Sequence, residues 1–410
     1  FNTLLERIST EMLRRSPERC TSLGVTEERA GGRYIDRLSD PSKQGDREQR
    51  TATQRALRDL NAIRRDRLEP QEQITHDVVR TSLENSLANG AFTVGGGAGA
   101  PYVVTQLTGV YSSMPNFLAQ THPIRSRTEA DAFLTRLEGF PALMDTQTAI
   151  IGEDAGAGVI PPDFAIDKAI TQLQAFALTA PAETAVLQSL PRRLPQAADI
   201  PEAERAAYLT RAETALRERV MPAFQRQIAA LQAVRPRAVH DAGCWRLPRG
   251  EEMYRAALLS RTTTTMEPQE IHDTGLELIR QFNAEMDAIL RAEGMTEGSV
   301  AQRVQALSQR PDQLYPNTDE GRTQILADLN TQTEHVLTLM PQAFGTLARA
   351  PLEIRRIPPF TEAGAPGGYY QRGALDGSRP GAYFINLRNT HEWPRFTLPT
   401  LNYHEGVPGH

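Results

Sequence analysis

The sequence lacks a long apolar run and has very little cysteine. No stretch of its 410 residues approaches the roughly 20 apolar residues of a membrane-spanning helix, so no membrane span is expected. Cys20 and Cys244 lie far apart, and neither belongs to a Cys-x-x-Cys pair, which argues against a cysteine zinc site or redox motif. Two interpretations stay open: two buried free thiols, or one disulfide formed in an oxidising compartment.

An excess of positive charge is also missing. The 45 Lys and Arg residues are balanced by 50 Asp and Glu residues, and no basic stripe indicates a nucleic-acid partner. The glycine-rich stretch 91–101, AFTVGGGAGAP, has no Gly-Lys-Ser/Thr ending, so it predicts a flexible loop and not a phosphate-binding one. No Gly-x-Ser-x-Gly is present, which places a metal-free nucleophilic hydrolase last among the functions considered.

Helical periodicity, by contrast, is abundant. The clearest apolar stripe, in residues 268–293, consists of Ile279, Phe282, Met286 and Ile289. A similar stripe in residues 127–152 consists of Ala130, Phe133, Leu134, Leu137 and Phe140. We predict a mainly α fold with helices over residues 2–14, 48–66, 71–88, 127–152, 202–234, 268–293 and 319–349.

The character of the sequence changes after Pro351. LEIRRIPPF (352–360) alternates apolar and polar residues, and two aromatic, β-branched runs follow on either side of Asp376-Gly377 and Pro380-Gly381 turn signals. We predict a small sheet of two or three strands within 352–388, followed by a helix that Thr400 caps. The predicted organisation is a helical region over 1–351, then the sheet and the start of a motif helix over 352–410.

The last eight residues, YHEGVPGH, carry the most chemistry. In the common zinc-hydrolase motif His-Glu-x-x-His, two histidines one helical turn apart reach one zinc and the Glu acts as general base. His404 and His410 are six residues apart, so on one helix they would be separated by about 9 Å and about 120°. A break at Gly406 to Gly409, which contains Pro408, would return His410 toward His404. Spacing alone leaves two alternatives, a metal site or a partly buried polar histidine near a helix start.

The pair His391-Glu392 begins in the same way. Arg395 stands four residues after His391, and Pro394 ends any helix there. We interpret this second His-Glu pair as part of a loop.

The motif resembles that of a bacterial family, domain-of-unknown-function 885, in which it reads His-Glu-Gly-x-Pro-Gly-His-His. Three further segments are similar to that family in the same order: LTGVYSSMPNFLAQTHPIRSRTEADAFLTRL (107–137), the region 243–290, which begins GCWRLPRGEEMYRAALL, and GGYYQRGALDGSRPGAYFINL (367–387). The resemblance therefore covers most of the chain.

The resemblance implies a zincin-like metallopeptidase of gluzincin type, mostly helical, with its active-site helix after a small sheet. His404 and His410 would be zinc ligands and Glu405 the general base. The stretch Gly381–Leu387 would be an edge strand that pairs with an extended peptide or amide substrate. Tyr369, Tyr370, Tyr383 and Asn386 would line the cleft, and Arg379 would bind a substrate carboxylate; for each of them the alternative is packing in the sheet or an exposed turn charge.

Two features depart from the family pattern. The family has a second histidine after the position of His410, and its members continue into a helical region expected to supply a third ligand, a carboxylate. We expect the rest of the same protein, or a second chain, to complete the site beyond residue 410. The first residue is Phe1, which suggests that a segment such as a signal peptide precedes it. A periplasmic or secreted location is therefore favoured, with the cytoplasm as the alternative.

The function predicted from these residues is zinc-dependent hydrolysis of a peptide or other amide bond. The alternative is a catalytically inactive helical scaffold in which the motif is a structural remnant.

Overall fold

The chain divides into two compact units, Phe1–Met266 and Glu267–His410. The computed structural model describes residues 1–357, 359, 362, 365–377 and 379–410. Its fold is mainly helical with a three-stranded sheet, which confirms the predicted mainly α class with a small sheet. The change of character predicted after residue 351 falls inside the second unit.

The first unit is built from helices and loops. Its helices are α1 (Asn2–Arg14), α2 (Pro17–Leu23), α3 (Lys43–Asn61), α4 (Pro70–Asn89), α5 (Val110–Asn116), α6 (Arg127–Gly156), α7 (Asp163–Leu178), α8 (Ala185–Arg193), α9 (Glu202–Ala215), α10 (Met221–Val234) and α11 (Gly250–Thr262). The run predicted as one helix over 202–234 is α9 and α10, joined by a π-helical turn at Leu216–Val220. Pro222 accounts for this irregularity, because it has no N–H to continue the hydrogen-bond ladder.

The core of the first unit lies where α10 packs against both α6 and α7. All five apolar positions predicted for α6 are buried. Phe224 of α10 meets Phe140 edge-on, with ring centroids 6.0 Å apart, and stacks on Phe176 of α7 at 4.3 Å. Each aromatic side chain buries roughly 150–250 Å². To bury this much surface, the apolar residues of α6 must lie on one face, and this is the pattern that periodicity detects.

A buried His–Arg pair lies beside this core. Arg136 is fully buried and donates to the carbonyl oxygens of Arg37 (2.8 Å) and Tyr34 (3.0 Å) and to Nδ1 of His122 (2.9 Å). Nε2 of His122 lies 2.9 Å from the carbonyl oxygen of Glu129, which can only accept. His122 is therefore neutral with its proton on Nε2. Burial, and the positive charges of Arg136 and Arg193, lower the pKa of His122 to about 3.

This pair makes stability depend on pH. His122 has a pKa near 6.5 in the unfolded chain, so its contribution is complete above pH 6.5 and is lost as the pH falls toward about 3. We expect His122 to account for a loss of roughly 3–5 kcal/mol in the free energy of unfolding over that interval. Urea unfolding at pH 7 and pH 4.5 should show a smaller pH effect in His122→Gln than in the native protein. The control is His272→Gln, an exposed position; equal pH effects in native protein and His122→Gln would contradict the assignment.

Both cysteines are free thiols. Cys20 is buried, and its Sγ donates to the carbonyl oxygen of Leu13 at 3.1 Å, whereas Cys244 is only partly buried. The structure thus has the free thiols of the first interpretation, although only one of them is buried. Within the described part of the chain, no helix has both the length and the apolar character to cross a membrane.

The second unit contains four helices and three strands in its described residues. They are α12 (Pro268–Ala292), α13 (Val300–Ser308), α14 (Asp319–Ala343), β1 (Leu352–Arg356), β2 (Gly368–Gln371), β3 (Gly381–Ile385) and α15 (Leu398–Glu405). The helix predicted over 268–293 is α12, but its apolar stripe is exposed, from 38% at Met286 to 63% at Ile289. Periodicity located this face and did not determine its burial.

The sheet has the order β1-β3-β2. β3 pairs parallel with β1, from Leu352 opposite Gly381 to Arg356 opposite Ile385, and antiparallel with β2. The strand predicted as an edge over Gly381–Leu387 is therefore central, and the prediction was wrong. Both hydrogen-bonding edges of β3 are occupied, so it cannot add an extended substrate as a further strand. Of the predicted run 352–360, Pro358 and Phe360 lie outside the described residues.

One face of the sheet packs on α14 and α15. Tyr383, Ile385 and Leu387 point to this face at the two-residue spacing of a strand. They form a buried cluster with Ile325 and Leu329 of α14 and Leu398 of α15. This cluster places the start of the motif helix against the middle of the sheet.

Candidate metal centre

The motif helix α15 begins earlier than predicted. Thr397 is its N-cap residue and Pro399 lies in its first turn, where a missing N–H costs nothing. Thr400 is inside the helix, so the predicted cap at Thr400 was wrong. The buried positions of α15 are Leu398, Asn402 and Glu405, which makes Glu405 part of the face that packs inward.

Asn402 anchors this helix, and sequence reasoning missed it. It is fully buried, and its amide donates to the carbonyl oxygen of Leu329 at 3.0 Å and to Oε1 of Gln332 at 3.3 Å. Its Oδ1 accepts from Thr333 Oγ1 at 3.3 Å. All three partners lie on α14. The available signal was a polar residue four positions after Leu398, on the apolar side of a short helix.

After Glu405 the chain turns back on the end of α15. The N–H groups of Gly409 and His410 donate to the carbonyl oxygens of Tyr403 and His404, each at 2.9 Å. These bonds satisfy carbonyls that a helix end leaves without partners. A Cβ at Gly409 would lie 2.5 Å from the Tyr403 oxygen and closer still to that of His404. Only glycine permits this approach, which places His410 beside His404.

This turn of the chain after Glu405 brings three potential metal ligands together. His404, Glu405 and His410 each offer one ligand atom, and these atoms lie within 4.8 Å of one another. The two imidazole rings are 4.9 Å apart at their centroids and inclined by 82°. Both histidines are exposed, whereas Glu405 is 8% exposed. The loop after Glu405 therefore brings together two histidines that are six residues apart and would point in different directions on one helix.

The donor set fits zinc. Imidazole nitrogen and carboxylate oxygen are among the ligands that Zn²⁺ prefers. Two donors on a tetrahedral zinc, with bonds of about 2.0–2.1 Å, are about 3.3 Å apart. The separation of up to 4.8 Å is wider than this, so the side chains would have to move closer together to bind one ion.

Two of the predicted tyrosines lie at this cluster. Tyr370 of β2 is opposite Tyr383 of β3, and its ring stacks on that of His410 with centroids 6.1 Å apart and planes inclined by 12°. Tyr383 is fully buried, and no group in the described residues forms a hydrogen bond with its hydroxyl. Burial and the negative charge of Glu405 raise the pKa of Tyr383, so the phenol stays protonated as a potential donor next to Glu405.

The other predicted substrate residues have different contacts. Tyr369 faces the opposite side of the sheet from Tyr370 and stacks on Phe384, with centroids 5.0 Å apart. The Asn386 amide donates to the carbonyl oxygens of Glu362 (2.8 Å) and Ala365 (3.3 Å), which holds the loop before β2. The predicted substrate-binding roles of Tyr369 and Asn386 stay predictions.

Arg379 is the last of the predicted site residues, and the second His-Glu pair was predicted to lie in a loop. Arg379 donates from Nη1 to the carbonyl oxygen of Arg372 at 2.6 Å, and burial lowers its pKa. Its predicted role with a substrate carboxylate stays a prediction. His391 and Glu392 lie in a short 3₁₀ turn, Thr390–Glu392, and do not belong to the His404 cluster.

We expect Gly409→Ala to weaken zinc binding by about tenfold to a hundredfold, the range seen when support for a ligand is lost. The added methyl would overlap two carbonyl oxygens and push His410 away from His404. A competition titration with a chromogenic chelator measures the change. Gly345→Ala is the matched control, since a Cβ there meets nothing within 4 Å. Unchanged zinc affinity in Gly409→Ala would show that the return does not position His410.

The fold and this cluster define a mainly helical protein with a candidate metal centre where a short helix, packed on a small sheet, ends. The chain belongs to the family described as "Bacterial protein of unknown function (DUF885)", whose model matches residues 17–410.

Two solved structures have similar folds, and both are described as a "putative lipoprotein". The one from Colwellia psychrerythraea is 25% identical with a TM-score of 0.93, and the one from Shewanella oneidensis is 15% identical with a TM-score of 0.59. In each comparison the match covers 100% of this chain and 70% of the other. Comparison with curated proteins gave no match.

Proposed function

We propose that this protein is a zinc-dependent hydrolase of a peptide or other amide bond. The observation that carries the proposal is the convergence of His404, Glu405 and His410 within 4.8 Å, with the carboxylate buried and the imidazoles exposed. The two histidines and the carboxylate lie at the C-terminal end of α15. Together they offer metal ligands and a general base. In the first unit, the buried His122 has no such partners and is held by Arg136 and a backbone carbonyl.

The two imidazoles would hold the metal. Bound zinc would polarise a carbonyl group and lower the pKa of water. The third protein ligand is expected outside residues 1–410, and the two solved relatives, of which this chain covers 70%, have further polypeptide in which such a ligand can lie. Two histidines alone would fix the metal poorly, since zinc sites use three or four protein ligands.

Glu405 would act as the general base. It adjoins His404 in sequence, and its partly desolvated carboxylate can take the proton of an attacking water and pass it to the leaving amine. The buried Tyr383 hydroxyl, which lacks a hydrogen-bond partner in the described residues, can donate to this carboxylate. Because β3 is central, substrate would bind beside His410 and Tyr370 and not by strand addition to β3.

A location outside the cytoplasm is part of the proposal. The relative from Colwellia psychrerythraea, with 25% identity over the whole of this chain, is described as a "putative lipoprotein". A location outside the cytoplasm is compatible with both thiols being free. Even in an oxidising compartment, two cysteines form a disulfide only if their Cα atoms lie close together.

The test is zinc binding by the intact protein. We expect about one zinc per chain after dialysis at neutral pH, and a melting temperature that falls when a chelator removes it. Saturation at 100 times the dissociation constant stabilises a folded protein by about 2.7 kcal/mol. No retained zinc would refute the proposal. An inactive scaffold, the competing function, predicts a melting temperature that chelation leaves unchanged.

A further inference from the structure

A groove lined by polar and small side chains lies in the first unit. It has a volume of about 700 Å³, and its walls are the exposed face of α4, the last turns of α11 and the glycine-rich loop around Gly96–Ala100. The opposite face of α4, with Leu83 and His76, is buried against α3. The groove side of α4 carries polar side chains at helical spacing, namely Thr81, Ser82, Asn85, Ser86 and Asn89.

The loop that forms one wall is held in place, although its sequence predicted flexibility. Asn89, at the end of α4, donates to the carbonyl oxygen of Gly96 (3.2 Å) and accepts from the N–H of Gly99 (2.7 Å). The N–H of Gly95 donates to the buried carboxylate of Asp154 at 2.9 Å. Ala98, within this loop, is buried and packs with Val159, Leu247 and Met253. The groove is therefore formed without a ligand, which lowers the cost of binding one.

Three serine hydroxyls of the groove are not used within the described part of the protein, whereas the hydroxyl of Thr263 donates to the carbonyl oxygen of Thr262 at 2.7 Å. Helical Ser and Thr commonly bond back to the carbonyl four residues earlier, as Thr75 on α4 and Thr262 on α11 do, at 3.0 and 2.9 Å. Within the described residues, no hydrogen bond is formed by the side chains of Ser82, Ser86 or Ser260. These hydroxyls are available as donors and acceptors to a ligand.

One unpaired positive charge faces the same space. Arg261 of α11 makes no ion pair or hydrogen bond with the described residues, and its Nη2 would be 3.9 Å from a Cβ on Gly99. The carboxylate that lines the groove, Asp77, is bound by Arg65 through contacts of 2.7–2.9 Å, and this arginine lowers the pKa of Asp77. Asp77 is thus already neutralised, and Arg261 leaves the groove with a free guanidinium.

We propose that this groove binds a small hydroxyl-rich carboxylate, of the sugar-acid class. A guanidinium binds a carboxylate through two parallel hydrogen bonds, and the hydroxyl and amide stripe of α4 matches a chain of ligand hydroxyls. The groove's described lining includes no aromatic ring, so a nucleobase would find nothing to stack on. This binding site goes beyond the proposed hydrolase and does not depend on it.

Calorimetric titration of the intact protein tests the proposal, with D-glucuronate as probe. Glucose supplies hydroxyls without charge, acetate supplies charge without hydroxyls, and inorganic phosphate supplies a different anion. We expect binding of glucuronate at least tenfold tighter than that of the other three. Arg261→Ala should weaken glucuronate binding by about tenfold to a hundredfold, the usual range for a hydrogen bond to a charged group.

Two variants separate the groove from general effects. Ser86→Ala should weaken glucuronate binding several-fold and leave acetate unchanged, whereas Arg255→Ala, on α11 but outside the groove lining, should change neither. Equal binding of acetate or phosphate would overturn the assignment to sugar acids. No binding at about 10 mM glucuronate, where a site of millimolar affinity is saturated, would overturn the site itself, as would full binding by Arg261→Ala.

Discussion

Glu405→Gln is expected to keep its zinc and to lose hydrolysis by about 10²- to 10⁴-fold, the contribution of a positioned general base. The amide has nearly the size of the carboxylate and fits the same buried position, so His404 and His410 stay in place. It cannot accept a proton from water at neutral pH. Release of new amino termini from a mixed peptide library, followed by mass spectrometry, measures the rate, and atomic absorption measures the zinc.

Glu392→Gln is the matched control, because Glu392 also follows a histidine but lies in a 3₁₀ turn outside the cluster. It should retain both zinc and rate. Unchanged hydrolysis in Glu405→Gln would remove the general-base role. Loss of zinc together with hydrolysis would make Glu405 a metal ligand and would equally contradict that role.

Local periodicity predicted the helices well wherever one face is covered by neighbours. The stripe of α6 is buried as expected, because α6 packs against α9 and α10. The stripe of α12 is equally regular and yet exposed. The period of the apolar residues identifies which of them share a helix face. Whether that face is buried depends on the neighbouring elements, and the sequence of the helix alone does not specify them.

The position of a strand within a sheet also cannot be predicted from local sequence alone. The sequence identified β3 correctly as a strand, but its place between β1 and β2 depends on pairings with residues up to 29 positions away. Alternation within one strand is the same at an edge and in the centre of a sheet. The assignment of Gly381–Leu387 as an edge strand came from resemblance, and the pairing register shows that both of its neighbours are in place.

The sequence predicted the residues of the candidate site and a return of His410 toward His404, but not the contacts that produce this return. The sequence indicated a break near Pro408 and Gly409, and the structure adds how the break works: backbone bonds from Gly409 and His410 to the end of α15. Asn402 was missed because a single polar residue in a short helix has no periodic signature. Its role appears only when α14, about seventy residues earlier, supplies its three partners.

His404→Ala and His410→Ala are each expected to weaken zinc binding by more than about a hundredfold, since loss of a direct ligand exceeds the 10- to 100-fold effect of losing a supporting residue. At micromolar zinc, the stoichiometry should fall from about one per chain to none. Both side chains are exposed, so their removal leaves the buried cluster of β3, α14 and α15 intact. Urea unfolding of the zinc-free proteins should therefore give nearly equal free energies.

His391→Ala separates ligation from a general effect of losing a histidine. His391 is exposed and lies only 13 positions before His404, but outside the cluster, so this variant should bind zinc as the native protein does. Equal weakening in all three variants would mean that zinc binds to surface histidines without a defined site. Loss in His404→Ala alone would mean that the return of the chain brings His410 near the metal without making it a ligand; its ring, stacked on Tyr370, would then belong to the substrate cleft.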